Sequence, residues 1–159
     1  MPPDFVTLQD AVRSSFPVQS TRVVAVREQG DAAVALFDTR PGAQPYLYEV
    51  HFDRKSGGWV EGSSSNGPGW HRFALADPLG VETLWGEAPR GADLVRAERT
   101  GVVVEEPVAD GIYLLVWWNV TERLAEVKAF RVNGAWVRPS TFWEEALTQW
   151  KAWLRGRGS

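Results

Sequence analysis

The stretch Gly111-Ile112-Tyr113-Leu114-Leu115-Val116-Trp117-Trp118-Asn119-Val120 decides the fold class. Its apolar run is far short of the ~20 residues a membrane-spanning helix needs. It is rich in the β-branched and aromatic side chains that suit a pleated strand. Successive side chains on a strand point to opposite faces. Ile112, Leu114, Val116 and Trp118 therefore face one way, and Tyr113, Leu115 and Trp117 the other. Both faces are apolar, so both need a cover. The pattern predicts a central strand packed between a second sheet and a helix.

Downstream, Leu124 to Val132 reads as a strand, and Asn133-Gly134 is the strongest hairpin signal in the chain, because both residues tolerate positive φ. The returning strand is Trp136 to Arg138. Upstream, Val81 to Glu87, Leu94 to Arg99 and Val102 to Glu106 complete this group. An earlier group opens with Thr21 to Glu28 and Ala32 to Asp38, around the turn Gln29-Gly30-Asp31. Tyr46 to Asp53 then alternates, with Tyr46, Tyr48, Val50 and Phe52 on one face and Leu47, Glu49, His51 and Asp53 on the other. That is the pattern of a half-buried strand whose second face is mostly solvated. Lys55-Ser56-Gly57-Gly58 turns into a short strand at Trp59 and Val60, and Gly62 to Pro68 reads as a loop.

Two amphipathic helices flank the strands. Phe5, Leu8, Val12 and Phe16 form a stripe within Asp4 to Phe16, which Pro17 stops, and Thr7 with Asp10 caps the first turn. Near the end, Thr141 and Glu144 make a capping box, followed by the stripe Trp143, Ala146, Leu147, Trp150 and Leu154. This second helix is expected to cover the sheet, the alternative being a homodimer formed through it. The fold class is thus mainly β (α+β). Two strand groups form a sandwich or a strongly bent antiparallel sheet, with a short N-terminal and a longer C-terminal helix. One domain over 1–159 is expected, with 1–66 and 79–159 as possible subdomains.

Composition excludes several chemistries. With no cysteine among 159 residues there is no disulfide, thiolate metal site or cysteine nucleophile. A net charge of −3 with no Lys/Arg cluster disfavours a phosphate backbone, so no nucleic-acid partner is expected. The first residues lack a basic stretch followed by an apolar core, and the expectation is a soluble, cytoplasmic protein without a membrane partner.

Nine tryptophans are the most unusual count. Large rings bring much buried area, and Trp85, Trp117, Trp118, Trp136, Trp143 and Trp150 are assigned to the core. Trp59 and Trp70 bracket the serine-glycine loop and remain candidates for a binding surface, with His71 beside Trp70.

Catalytic patterns fail on inspection. Gly62-Ser63-Ser64-Ser65-Asn66-Gly67 has P-loop glycine spacing, but Pro68 and Gly69 stand where Lys and Ser/Thr belong. A nucleophile elbow needs a second glycine where Asn66 stands, so Ser65 with His71 makes no triad. Glu49, His51 and Asp53 share a strand face at i, i+2 and i+4, a carboxylate–histidine arrangement able to do acid–base work. The same row is also what a solvated face looks like. No cofactor and no metal are assigned.

The run His51-Phe52-Asp53-Arg54-Lys55-Ser56-Gly57-Gly58-Trp59 resembles part of an NTF2-like cone, in which a sheet curls around a pocket. Val81 to Arg138 is similar to an immunoglobulin-type sandwich. Neither resemblance carries functional residues across. The leading functional expectation is a non-catalytic binding or interaction protein, using an aromatic surface at Trp59, Trp70 and His71 to meet a protein or small molecule. The alternative is a small pocket protein that binds or converts an apolar molecule, with Glu49 and His51 near its mouth. A third is a self-associating structural protein.

Overall fold

A computed structural model of the chain describes residues 7–15, 21–41, 45–68, 72–76, 80–99, 101–119, 128–137 and 151–156. It is mainly β, with antiparallel pairing throughout. A short helix α1 (Leu8–Ser14) precedes strands β1 (Arg22–Gln29), β2 (Ala32–Asp38), β3 (Tyr46–Lys55) and β4 (Gly58–Pro68). Then come β5 (Arg72–Ala76), β6 (Val81–Glu87), β7 (Ala92–Arg99), β8 (Val102–Pro107), β9 (Ile112–Trp117), β10 (Lys128–Val132) and β11 (Ala135–Val137). The strands form three sheets: sheet A in the order β1-β2-β3-β4, sheet B as β5-β6-β9, and sheet C as β11-β10-β7-β8.

Turn chemistry sets the registers. Asn133 and Gly134 lie at φ 52° and 80°, and Ser56 and Gly57 at the same pair of values. Both pairs join strands through two-residue loops, closing Val132 onto Ala135 and Lys55 onto Gly58. Two successive positive φ angles match the right-handed strand twist, so these turns fix which residues face inward.

Three apolar clusters bind the sheets. One face of sheet A, with Val34, Leu36 and Leu47, meets Val81 and Trp85 of β6 and Ile112, Leu114 and Val116 of β9. The opposite face of sheet A, with Ala35, Phe37, Phe52 and Trp59, packs under Ala11 and Val12 of α1. The other face of sheet B, with Leu84, Tyr113, Leu115 and Trp117, meets Val95, Ala97 and Phe130 of sheet C. Each fully buried Val, Leu, Ile or Phe contributes about 1.5–3 kcal/mol.

The two-faced strand behaves as its sequence demands, since all six residues of β9 are buried. Its covers differ from expectation. Sheet A lies on one side and sheet C on the other, and β9 is at an edge of its own sheet. The described part of the C-terminal helix, 151–156, is mostly exposed, with Leu154 at 44%. Trp143, Ala146, Leu147 and Trp150 lie outside the described residues. Trp136 is not core either: it stands 41% exposed on the three-residue edge strand β11. The guanidiniums of Arg96 and Arg131 lie 5.8 and 5.9 Å from its ring centroid.

The expected loop Gly62 to Pro68 is instead the second half of β4. It pairs with β3 from Tyr46↔Pro68 to Val50↔Ser64. Gly, Ser, Asn and Pro have weak strand preference, but a long, well-formed neighbour overrides local propensity by supplying the ladder. Pro is tolerated because β4 is an edge strand of sheet A. Among the described residues, no helix is long and apolar enough to cross a membrane.

Candidate functional site: a buried carboxylate–histidine pair between two sheets

The alternation of β3 places Glu49 and His51 on the face that carries Leu47. Their partners across the ladder are Leu36 and Val34 of β2, both in the cluster shared with sheet B. The face read from sequence as mostly solvated is therefore covered, because β6 packs on it. Glu49 is 0% exposed and His51 3%.

Burial forces these polar groups to find partners, since an unpaired one costs roughly 1–3 kcal/mol. His51 Nε2 lies 2.6 Å from Glu49 Oε1. The Thr83 hydroxyl, fully buried on β6, donates to Glu49 Oε2. Both carboxylate oxygens are thus engaged, one from each sheet. His51 Nδ1 is also buried, yet no hydrogen-bond partner for it stands among the described residues. On the same face of β6, two residues beyond Thr83, the indole Nε1 of Trp85 is likewise buried without one.

A bulge shapes the flank of the pair. The β3–β4 register runs Val50↔Ser64 and then Phe52↔Glu61, so Gly62 and Ser63 together oppose His51. Such an extra residue bends a strand and re-aims its neighbours. Gly62 is exposed, and a Cβ placed there would meet only the His51 carbonyl oxygen, at 3.4 Å.

Asp53 does not join the pair. It sits toward the end of β3 and forms an ion pair with Lys55 Nζ at 3.5 Å. Trp59 is 2% exposed and lies in the cluster beneath α1, with the Arg54 guanidinium 4.6 Å from its ring centroid. Its expected place on an exposed aromatic surface is therefore corrected. The reason is that Trp59 faces α1, opposite Arg54 in the ladder. Trp70 and His71 lie outside the described residues. No group of three His, Asp or Glu among the described residues is placed to hold a metal ion.

A second charged group lies at the far end of the same inter-sheet face. Arg22 reaches Asp38 at 3.6 Å and Asp110 at 2.8 Å, and the buried Asp38 also accepts from the Arg40 backbone N–H. Glu87 of β6 has its carboxyl pushed above the ordinary range, first by burial and then by the nearby Asp38 charge.

Thr83 is the residue that sequence reading misses. The available signal was its position between Val81 and Trp85, which makes it the one hydroxyl on an otherwise apolar stretch of strand face. A hydroxyl on such a strand needs an inward partner. Comparison with protein-family models, with curated proteins and with solved structures gives no match to this chain.

Proposed function

We propose that this chain is a small-molecule binding protein whose site is the face between sheets A and B around Glu49 and His51. One observation carries the reading: a histidine held through Nε2 by a carboxylate, with Nδ1 buried and unmatched among the described residues. Buried polar atoms of this kind are rare in native proteins and call for an explanation. A ligand polar group supplies one, and Val34, Leu36 and Val81 give the surroundings apolar character. The aromatic-surface reading loses support because Trp59 packs under α1.

The test is a titration of protein labelled with ¹⁵N-histidine against a library of small apolar molecules. The chain has two histidines, and His51→Gln assigns their signals. The expected result is that some library members move the His51 Nδ1 signal and raise the melting temperature, as any ligand of the native state must. A library that leaves His51 unmoved throughout overturns the proposal.

A further inference from the structure

We infer that the β1 edge of sheet A is a salt-released seam: two side-chain ion pairs hold it against the turn into β9, and parting them opens the inter-sheet face along the row that carries His51. This is regulation of the site proposed above, and it rests on that reading for its purpose alone.

The ladder places β1 at the rim of the face. Arg27 pairs with Val34 and Val34 with His51, so the three form one row across sheet A on the side that meets sheet B. Direct partners share a face, so the Arg27 side chain closes that row at its outer end. Arg22 does the same for the row of Asp38 and Leu47. Beyond them stand the end of β8 and the turn into β9. Arg27 Nη2 lies 3.3 Å from Glu106 Oε2, and Arg22 Nη1 lies 2.8 Å from Asp110 Oδ2. The two segments thus run antiparallel and are fastened at two points. Among the described residues no backbone ladder joins them, since β1 pairs only with β2.

This fastening differs in kind from the ladders around it. Salt screens ion pairs between exposed side chains and hardly touches neutral backbone hydrogen bonds. The four side chains are 26% to 69% exposed, a range in which each pair contributes little. On β1 between the pairs, Val24 and Ala25 reach the shared cluster, and both are only half-buried. The closed seam also carries a standing cost. Nε of Arg22 and Nε of Arg27 are both buried, with no hydrogen-bond partner among the described residues. Water meets both donors once the seam parts. Asp38 does not oppose the opening, because it keeps Arg22 and the Arg40 backbone N–H on its own sheet. An irregularity of register between Val23 and Ala25 gives β1 a place to bend.

The test exploits the absence of cysteine from the chain. Val34→Cys places a single thiol in the His51 row, and Val50→Cys places one on the opposite face of sheet A, in the cluster beneath α1. Both valines are buried. Each variant of the full chain is labelled with iodoacetamide, a neutral reagent, in about 0.05 M and about 1 M sodium chloride. The expected result is that Val34→Cys labels about threefold to tenfold faster at high salt, the factor that two screened surface pairs are worth, while Val50→Cys does not. Adding Glu106→Gln and Asp110→Asn should give the fast rate already at low salt, and asparagine tolerates the positive φ at position 110. Equal salt responses of the two thiols overturn the seam, because they mark opening of the whole molecule or none. A Val34→Cys rate left unchanged by the two neutralising substitutions overturns it as well. Ala25→Cys, on β1 itself, gives the same readout should Val34→Cys not fold. No ligand enters the measurement, so its failure leaves the binding reading standing, and a small-molecule library that never moves His51 leaves the seam standing.

Discussion

Replacing Thr83 by Val is the sharpest test of the buried network. Valine has nearly the shape of threonine, so no cavity opens and the cluster with Val81 and Val116 stays filled. What disappears is the hydroxyl that donates to Glu49 Oε2. Glu49 and Thr83 are both 0% exposed, so water does not replace the lost donor. Leaving a buried acceptor unmatched costs about 1–3 kcal/mol, and more when it is charged. Removing one partner of a buried ionic group reaches about 3–5 kcal/mol. The expected loss is therefore about 2–3 kcal/mol. With a urea slope of about 2 kcal/mol/M, the unfolding midpoint falls by roughly 1–1.5 M. The same substitution in a Glu49→Leu background should cost less by at least about 1 kcal/mol, because no carboxylate remains to be stranded. A loss below about 0.5 kcal/mol in the otherwise unaltered chain refutes the reasoning, since that is the range of an ordinary surface change.

Two tryptophans should separate cleanly in chemical denaturation: Trp59→Ala removes a ring buried under α1 and should cost about 3–5 kcal/mol, while Trp136→Ala on the exposed edge strand should cost less than about 1 kcal/mol. Glu87 has a raised folded-state pKa, so its stabilising contribution is complete below the unfolded value and is lost as pH rises through the folded one. Glu87→Gln should therefore stabilise the protein near pH 7 and give no gain below about pH 4; a gain that persists in acid contradicts the assignment. Gly57 sits at φ 80° with nothing within 4 Å of where a Cβ would stand. Gly57→Ala should thus cost about 1–2 kcal/mol from backbone conformation alone, read as a lower melting temperature.

Much of the strand plan could be read from residues whose signal is local. Val81–Glu87 and Ala32–Asp38 have the bounds that their composition implies, and the Asn133-Gly134 turn has the positive φ pair its residues favour. What could not be read depends on partners distant in the chain. Glu49-Val50-His51 looks like an ordinary half-solvated strand until β6 covers it, and nothing near position 49 announces Thr83. Ser64 and Asn66 look like loop residues until β3 supplies a ladder for them. Trp59 and Trp136 both lie on edge strands and differ in burial because α1 packs over the first and the second is left 41% exposed, a difference of address and not of residue type.

Sheet A has a consequence for how the chain assembles. It is a simple meander, in which every strand pairs with its neighbour in sequence. Closing such short loops is entropically cheap. Sheet B instead brings Glu82 against Trp117, and sheet C brings Ala92 against Val132, across long intervening segments. Local contacts form fastest, so the meander is expected to exist, with Glu49 still hydrated, before β6 arrives. Dehydration of that carboxylate then belongs to the late step, when Thr83 delivers its hydroxyl. Thr83→Val should consequently leave the refolding rate nearly unchanged and place its whole effect on faster unfolding.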